Sequence, residues 1–139
     1  MPARFEGGCR CGAVRYECTG EPMFAGHCHC RDCQYASGGA FSTVVLVPAA
    51  AFRVREGEPR RFDVVAESGS TVSRYFCPTC GTPLYSALGG RGPLVAVKAG
   101  SLDDPSWVRP AMEIWTDRAQ PWAPHAEGLP RVPRNPGPA

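Results

Sequence analysis

Three things are scarce in this sequence: lysine, long apolar runs and an excess of charge of one sign. Lys98 is the only lysine in 139 residues, so nearly all the positive charge is arginine. Fifteen Lys and Arg against 13 Asp and Glu leave a net charge of +2, too mild a balance to point to nucleic acid. No segment is apolar over the length a membrane-crossing helix needs. The opening residues, Met-Pro-Ala-Arg-Phe-Glu-Gly-Gly, hold no signal-peptide run. The expectation is a cytoplasmic chain with no nucleic-acid or membrane partner. In that compartment thiols stay reduced, so clustered cysteines read as metal ligands before disulfides; in a secreted chain the even count would favour bridges.

What the chain does have is Gly 16, Pro 15 and Cys 8. High glycine and proline argue for short strands and many turns over long helices. The length suits one domain with its own core. Ala13 to Cys18, Ala40 to Val47, Phe52 to Arg55, Arg61 to Val65, Thr71 to Phe76, Pro83 to Ala87, Leu94 to Ala99 and Ala111 to Trp115 read as strands, from alternation or β-branched content. Pro48 to Ala51 can form one helical turn, and Gly89 to Pro93 a loop between strands. Beyond Trp122 the composition shifts to Pro, Gly, Ala and Arg. Residues 124–139 are expected to form a Pro-rich disordered tail, most firmly from about Pro130, because little there can offset the entropy of ordering.

The chemistry centres on Gly26 to Gly39, where Cys28, Cys30 and Cys33 fall within six positions and alternate with histidines. Cysteines this close bridge one another only with strain, but their thiolates can converge on one zinc ion. Three sulfurs leave one position of a tetrahedron open. His27 and His29 are the local candidates to close it. In an extended chain their side chains point away from the face carrying Cys28 and Cys30, which favours an open site.

A second cluster is Cys77-Pro78-Thr79-Cys80-Gly81, a knuckle-like turn after a strand, and a third pair is Cys9-Arg10-Cys11-Gly12. Cys18 lies on the apolar side of its strand and reads as core. Seven cysteines remain. The economical partition puts Cys9, Cys11, Cys77 and Cys80 in a closed four-sulfur site and Cys28, Cys30 and Cys33 in an open one. A rival partition joins Cys77 and Cys80 to two sulfurs of the central cluster, and a lone Cys-x-x-Cys can also be a redox pair. Three thiolates on Zn²⁺ carry a net charge of minus one and suit a soft incoming ligand. The chemistry that follows is activation of a small thiol for attack on an electrophilic carbon.

Cys9-x-Cys11-Gly12 with Tyr16, Cys28-x-Cys30-x-x-Cys33 with Gly38, Phe76-Cys77-x-x-Cys80-Gly81, Gly100 to Pro105, Ile114-Trp115 and Pro121-Trp122 together resemble the glutathione-dependent formaldehyde-activating family, whose domain also occurs in centromere protein V. The resemblance covers about residues 5–123. It implies a mainly β protein of the β-tent fold, small antiparallel sheets braced by zinc in a domain placed at residues 1–123. It further implies two Zn²⁺ per chain: a structural ion on Cys9, Cys11, Cys77 and Cys80, and a catalytic ion on Cys28, Cys30 and Cys33. The implied activity is a carbon–sulfur lyase of the S-hydroxymethylglutathione synthase kind, taking glutathione or a similar thiol and an aldehyde such as formaldehyde. The alternative is a non-catalytic zinc-braced interaction module. His29 is a candidate proton carrier, or else a surface histidine or one that hydrogen-bonds behind the metal ligands. Arg31 is a candidate carboxylate contact or a solvated side chain. Trp107, Trp115 and Trp122 are candidate pocket or core residues.

Overall fold

The structure, a computed structural model, describes residues 2–89 and 92–136. In chain order the strands are β1 (Phe5–Gly8), β2 (Arg15–Cys18), β3 (Phe24–Cys28), β4 (Ser42–Pro48), β5 (Phe52–Glu56), β6 (Arg60–Val65), β7 (Thr71–Phe76), β8 (Pro83–Leu88), β9 (Leu94–Lys98) and β10 (Met112–Ile114). One helix, α1 (Arg31–Ser37), follows β3, and single 3₁₀ turns cover Ala49–Ala51, Ala99–Ser101, Pro105–Trp107 and Thr116–Arg118. The fold is mainly β. Most expected strands are present within a residue or two. The sequence reading passed over β1, β3 and α1. Two residues of the expected loop Gly89 to Pro93, 90 and 91, lie outside the described residues.

Two sheets form, a three-stranded one in the order β1-β2-β5 and a seven-stranded one in the order β10-β3-β4-β9-β8-β7-β6. Neighbours run antiparallel except β10, which lies parallel to β3. Register sorts the side chains of the large sheet into two faces, because alternate residues of a strand point opposite ways. Ala25 faces Val45, Val45 faces Val97, Val97 faces Tyr85 and Tyr85 faces Tyr75. This row is the core side. The small sheet packs on it, with the Phe52 ring 4.5 Å from Tyr85 and 5.2 Å from Tyr16. Val14, Val45, Val47, Leu84 and Val97 are buried there, and Cys18 joins them as the sequence led one to expect.

The other face carries a second row: Cys28 opposite Ser42, Val44 opposite Lys98, and then Ala96, Ser86, Arg74 and Phe62 in successive cross-strand pairs. The α1 helix lies over this face, against β4. The helix begins where β3 stops because Cys30 serves as its N-cap, its Sγ accepting from the Cys33 N–H at 3.3 Å, and it ends at Gly38 with φ 73°.

The two sheets are tied at β1. Gly7 bridges Leu102, and a Cβ on Gly7 would run into the Ser101 carbonyl and the Tyr16 hydroxyl, so only glycine fits. The Tyr16 and Ser101 hydroxyls hydrogen-bond at 2.6 Å, and the Arg15 guanidinium donates to both Asp103 oxygens at 2.8 and 2.5 Å. The Gly100 to Pro105 stretch of the resemblance thus serves to dock the sheets.

Of the tail expected at residues 124–139, residues 137–139 lie outside the described residues, and part of the remainder runs along β10. The Glu113 and Trp115 N–H groups donate to the Pro130 and Arg134 carbonyls, and the Val132 N–H returns to the Glu113 carbonyl. The exposed edge of β10 supplies the backbone partners, and the Trp115 indole donates to Asn135 Oδ1 at 2.8 Å. Composition had counted apolar area and missed these hydrogen bonds.

Candidate metal centre

The four-sulfur group is assembled from the loop after β1 and the turn after β7. Cys9, Cys11, Cys77 and Cys80 bring their ligand atoms within 4.8 Å of one another. Cys9 and Cys11 sulfurs lie 3.5 Å apart, and Cys11 and Cys77 sulfurs 3.7 Å apart. Four sulfurs ~2.3 Å from a tetrahedral zinc lie ~3.8 Å from one another, so this group fits the ion. Backbone donors share the charge: Val14 N–H to Cys9 Sγ at 3.2 Å, and Thr79 and Cys80 N–H to Cys77 Sγ at 3.3 and 3.4 Å. Gly81, at φ 78°, turns the chain back into β8. Hydrogen bonds from the side chain and backbone of Thr82 lower the Cys80 thiol to about 5, so it is poised to bind as a thiolate.

The three-sulfur group is Cys28 at the end of β3, Cys30 at the helix cap and Cys33 in the first turn of α1, again within 4.8 Å. A helix cap followed by a residue one turn on folds two sulfurs towards the third. Cys28 and Cys33 are buried together with Trp115. Trp115 reaches them from a left-handed backbone, φ 56°, an unusual conformation for an aromatic residue that its burial and its indole hydrogen bond offset. Hydrogen bonds from Cys28 and Cys30 hold the Cys33 thiol well below the usual range, helped by the positive charge of Lys98 and Arg74; the same sharing pushes Cys28 up. Thiols that share protons in this way suit a cation, which takes the place of the protons. All eight cysteines are unbridged, and the partition into four and three is the one expected from spacing; the rival pairing of Cys77 and Cys80 with the central cluster is not formed.

Neither histidine joins a sulfur group among the described residues. His27 Nδ1 is paired with Thr43 Oγ1 at 2.8 Å. His29 is fully buried, with Nε2 2.9 Å from Glu113 Oε1 and Nδ1 without a partner. As the Nε2–H tautomer it leaves only a lone pair unpaired, which costs less than an unpaired N–H. His29 thereby braces the β3 end against β10, and it is not among the residues lining the cavity described next. Arg31 folds onto its own helix, donating to Gln34 Oε1 at 2.5 Å and lying over the Tyr35 ring. Of the tryptophans, Trp107 packs on Phe5, Trp115 on the sulfur trio, and Trp122 is exposed.

A cavity of about 590 Å³ lies between α1 and the second face of the large sheet. Asp32, Tyr35 and Ala36 wall it on the helix side, and Phe62, Arg74, Ser86 and Lys98 on the sheet side. Lys98 links cavity and sulfurs: its Nζ donates to Ser42 Oγ at 2.8 Å, and Ser42 is the cross-strand partner of Cys28. Burial lowers the Lys98 ammonium from its ordinary value, while the neighbouring thiols oppose that shift. The sequence reading singled out neither Arg74, Ser86 nor Glu113. The one available signal was Lys98 itself, a lone lysine closing the apolar run Leu94 to Val97.

The fold and these sites define a class: small, mainly β proteins in which one set of four cysteines and one of three could each hold a metal ion. The chain belongs to the glutathione-dependent formaldehyde-activating enzyme family, whose family model matches residues 4–118. No curated protein matches it. Among solved structures, the crystal structure of a Rhodobacter sphaeroides protein is similar, with a TM-score of 0.59 and 22% identity over 76% of this chain and 91% of that one. At that identity the likeness concerns the fold. No helix among the described residues is long and apolar enough to cross a membrane.

Proposed function

We propose that the protein is a zinc-dependent carbon–sulfur lyase that joins a small thiol, glutathione or one like it, to an aldehyde such as formaldehyde. Cys9, Cys11, Cys77 and Cys80 would hold a structural zinc, and Cys28, Cys30 and Cys33 a catalytic one. One observation carries the reading: three sulfurs converge without a fourth side-chain donor among the described residues, beside a cavity large enough for a small molecule. The family match supports the same chemistry.

Zinc bound to the trio would supply a position at which a thiol loses its proton and stays nucleophilic. The thiol sulfur attacks the aldehyde carbon, a C–S bond forms, and the C=O π pair moves to oxygen. The proton lost by sulfur ends on that oxygen, so the product is a hemithioacetal and no electron donor or acceptor is required. The reverse reaction expels the thiol by the same path. The chain's own contribution is to spread and shield charge. The Cys33 N–H donates to Cys30 Sγ, Lys98 and Arg74 bring positive charge to a trio that would remain anionic with zinc bound, and Trp115 covers Cys28 and Cys33.

Metal analysis and zinc-edge absorption on the purified protein, with and without glutathione, test this. Two zincs per chain are expected, and one gains a sulfur when glutathione is added. Formaldehyde consumption in the presence of glutathione should disappear in Cys30→Ser. A zinc shell that does not change with the thiol, together with no consumption of aldehyde, overturns the proposal.

A further inference from the structure

The floor of the cavity carries more polar capacity than the chain itself uses. Ser86 is only 3% exposed, yet its Oγ has no hydrogen-bond partner. Arg74, its cross-strand neighbour, has a buried Nε that is also without a partner. Lys98 is 9% exposed and donates to one neutral hydroxyl, that of Ser42. All three line the cavity. Asp32, Tyr75 and Tyr85 also line it, but no ion pair joins Asp32 to either cation. Among the described residues neither Arg74 nor Lys98 has an acidic partner within salt-bridge distance; the other cations without one, Arg10, Arg31, Arg60 and Arg109, are exposed to water, whereas these two are wholly or partly buried.

Buried donors without acceptors are costly, and two neighbouring cations on one sheet face repel each other. The sulfur trio offsets part of this charge from one side. A ligand that supplies acceptors and a negative charge would offset the rest. The walls bear on its size. Formaldehyde has two heavy atoms, whereas about 590 Å³ suits a molecule of drug-like size. Tyr35 and Phe62, 78% and 64% exposed, stand on opposite walls and offer apolar surface to the body of such a molecule.

We propose that Arg74, Lys98 and Ser86 form a subsite for a carboxylate borne by one of the two reacting molecules, holding that molecule with its reacting end at the Cys28–Cys30–Cys33 group. Arg74 and Lys98 donate charge-assisted hydrogen bonds to the carboxylate and Ser86 adds a neutral one. The inference rests on the lyase reading for the identity of the reactants, and its test separates the two.

S-Methylglutathione keeps both carboxylates of glutathione but has no free thiol. Its binding to the zinc-loaded protein by calorimetry is expected to weaken about ten- to hundredfold in Arg74→Gln, the loss of one charged hydrogen bond, and less in Ser86→Ala. Steady-state kinetics then locate the source. If the thiol brings the carboxylate, the kcat/KM preference for 3-mercaptopropionate over 2-mercaptoethanol falls tenfold or more in Arg74→Gln. If the aldehyde brings it, the preference for glyoxylate over formaldehyde falls instead. Because each readout is a ratio within one variant, general damage cancels. Carboxylate binding that depends on Arg74 in a protein without lyase activity would keep the subsite and discard the lyase reading. Lyase activity in which neither ratio nor S-methylglutathione binding responds to Arg74→Gln or Ser86→Ala overturns the subsite.

Discussion

Glu113 is the side chain on which the β3–α1 corner depends, and removing it should destabilise the protein by an amount that can be worked out. It is fully buried on β10 and accepts from His29 Nε2 at 2.9 Å and from the half-exposed Arg131 at 2.9 Å. Glu113→Ala leaves His29 buried with both ring nitrogens unpaired, since Nδ1 has no partner already. Charge-assisted hydrogen bonds contribute about 1.5–3 kcal/mol each, the more exposed one least, and orphaning buried polar groups costs about 3–5 kcal/mol. The expected loss is about 3–4 kcal/mol. In a domain of this size that lowers Tm by about 10 °C or more. Glu113→Gln keeps the shape and can pair with both neighbours, so about 1–2 kcal/mol is expected. Trp115 lies two residues on and packs at the same corner, so urea unfolding of zinc-saturated protein followed by tryptophan fluorescence reads the change directly.

The pH dependence gives an independent check. Burial pushes the Glu113 carboxyl up, but the hydrogen bond from His29 and the charge of Arg131 outweigh it and hold the carboxyl below its ordinary value. A depressed folded pKa contributes stability that is present above the unfolded value, near ~4.3, and is lost as pH falls through the folded one. The stability gap between wild type and Glu113→Gln should therefore be full at neutral pH and close on acidification below about pH 4. Both proteins lose metal on acidification alike, so the difference isolates Glu113. A Glu113→Ala loss under about 1 kcal/mol, or a gap that is flat with pH, would refute the reasoning.

The proposed division between the two sulfur groups makes a sharp contrast. Cys80→Ser should abolish stable folding at room temperature, because structural zinc contributes on the order of 10 kcal/mol against a total stability of about 5–15; Cys30→Ser should keep the fold and lose one zinc. Circular dichroism with metal analysis distinguishes them, and equal damage in both would refute the division. Gly7→Ala should cost about 1–3 kcal/mol, because its Cβ meets the Ser101 carbonyl and the hydrogen-bonded Tyr16 hydroxyl, neither free to move. A chemical-denaturation midpoint unchanged from wild type would show that the sheets can separate slightly without penalty.

The sequence was most legible where chemistry is dense. Cysteine spacing made four and three the economical partition, since few partitions satisfy a tetrahedron, while a rival stayed open until the sulfur positions were seen. Alternation placed β7 at Thr71–Phe76 to the residue, because it has a half-buried, β-branched and aromatic composition. It could not place β1, Phe-Glu-Gly-Gly, whose glycines are fixed by close approach to Ser101 and Arg15 and not by strand propensity. It missed α1 because the residue at its N-cap is a cysteine, acting where Ser or Asp would have given the signal. Register was the largest loss. Arg74, Ser86 and Lys98 are spread over 25 positions of sequence and share a site only because β7, β8 and β9 are neighbours in one order. The hydrogen bonds of the C-terminal segment to the β10 edge and to Glu113 were not legible, because composition weighs apolar burial and not backbone pairing.

The two sulfur groups differ in what they join, and this explains why one protein would keep both. The four-sulfur group closes a link between Cys9, beside β1 of the small sheet, and Cys77, at the end of β7 in the large one. Chain entropy opposes so distant a contact, and at this end of the interface the sheets, packed on a shared core, are otherwise tied by the Gly7–Leu102 bridge and the Tyr16–Ser101 and Arg15–Asp103 pairs. An ion there would act on docking. The three-sulfur group spans only Cys28 to Cys33, where closure costs little and the corner is already fixed by the Cys30 cap, Glu113 and Trp115. An ion there adds little to the fold, so an incomplete donor set is tolerable at the trio and would not be at the other site. The same corner adjoins the cation-bearing face of the sheet through Ser42, which lies opposite Cys28 and accepts from Lys98. On the proposed reading, stability and reactivity would fall to different metals, and a position for a diffusible thiol at the trio would not loosen the sheets around it.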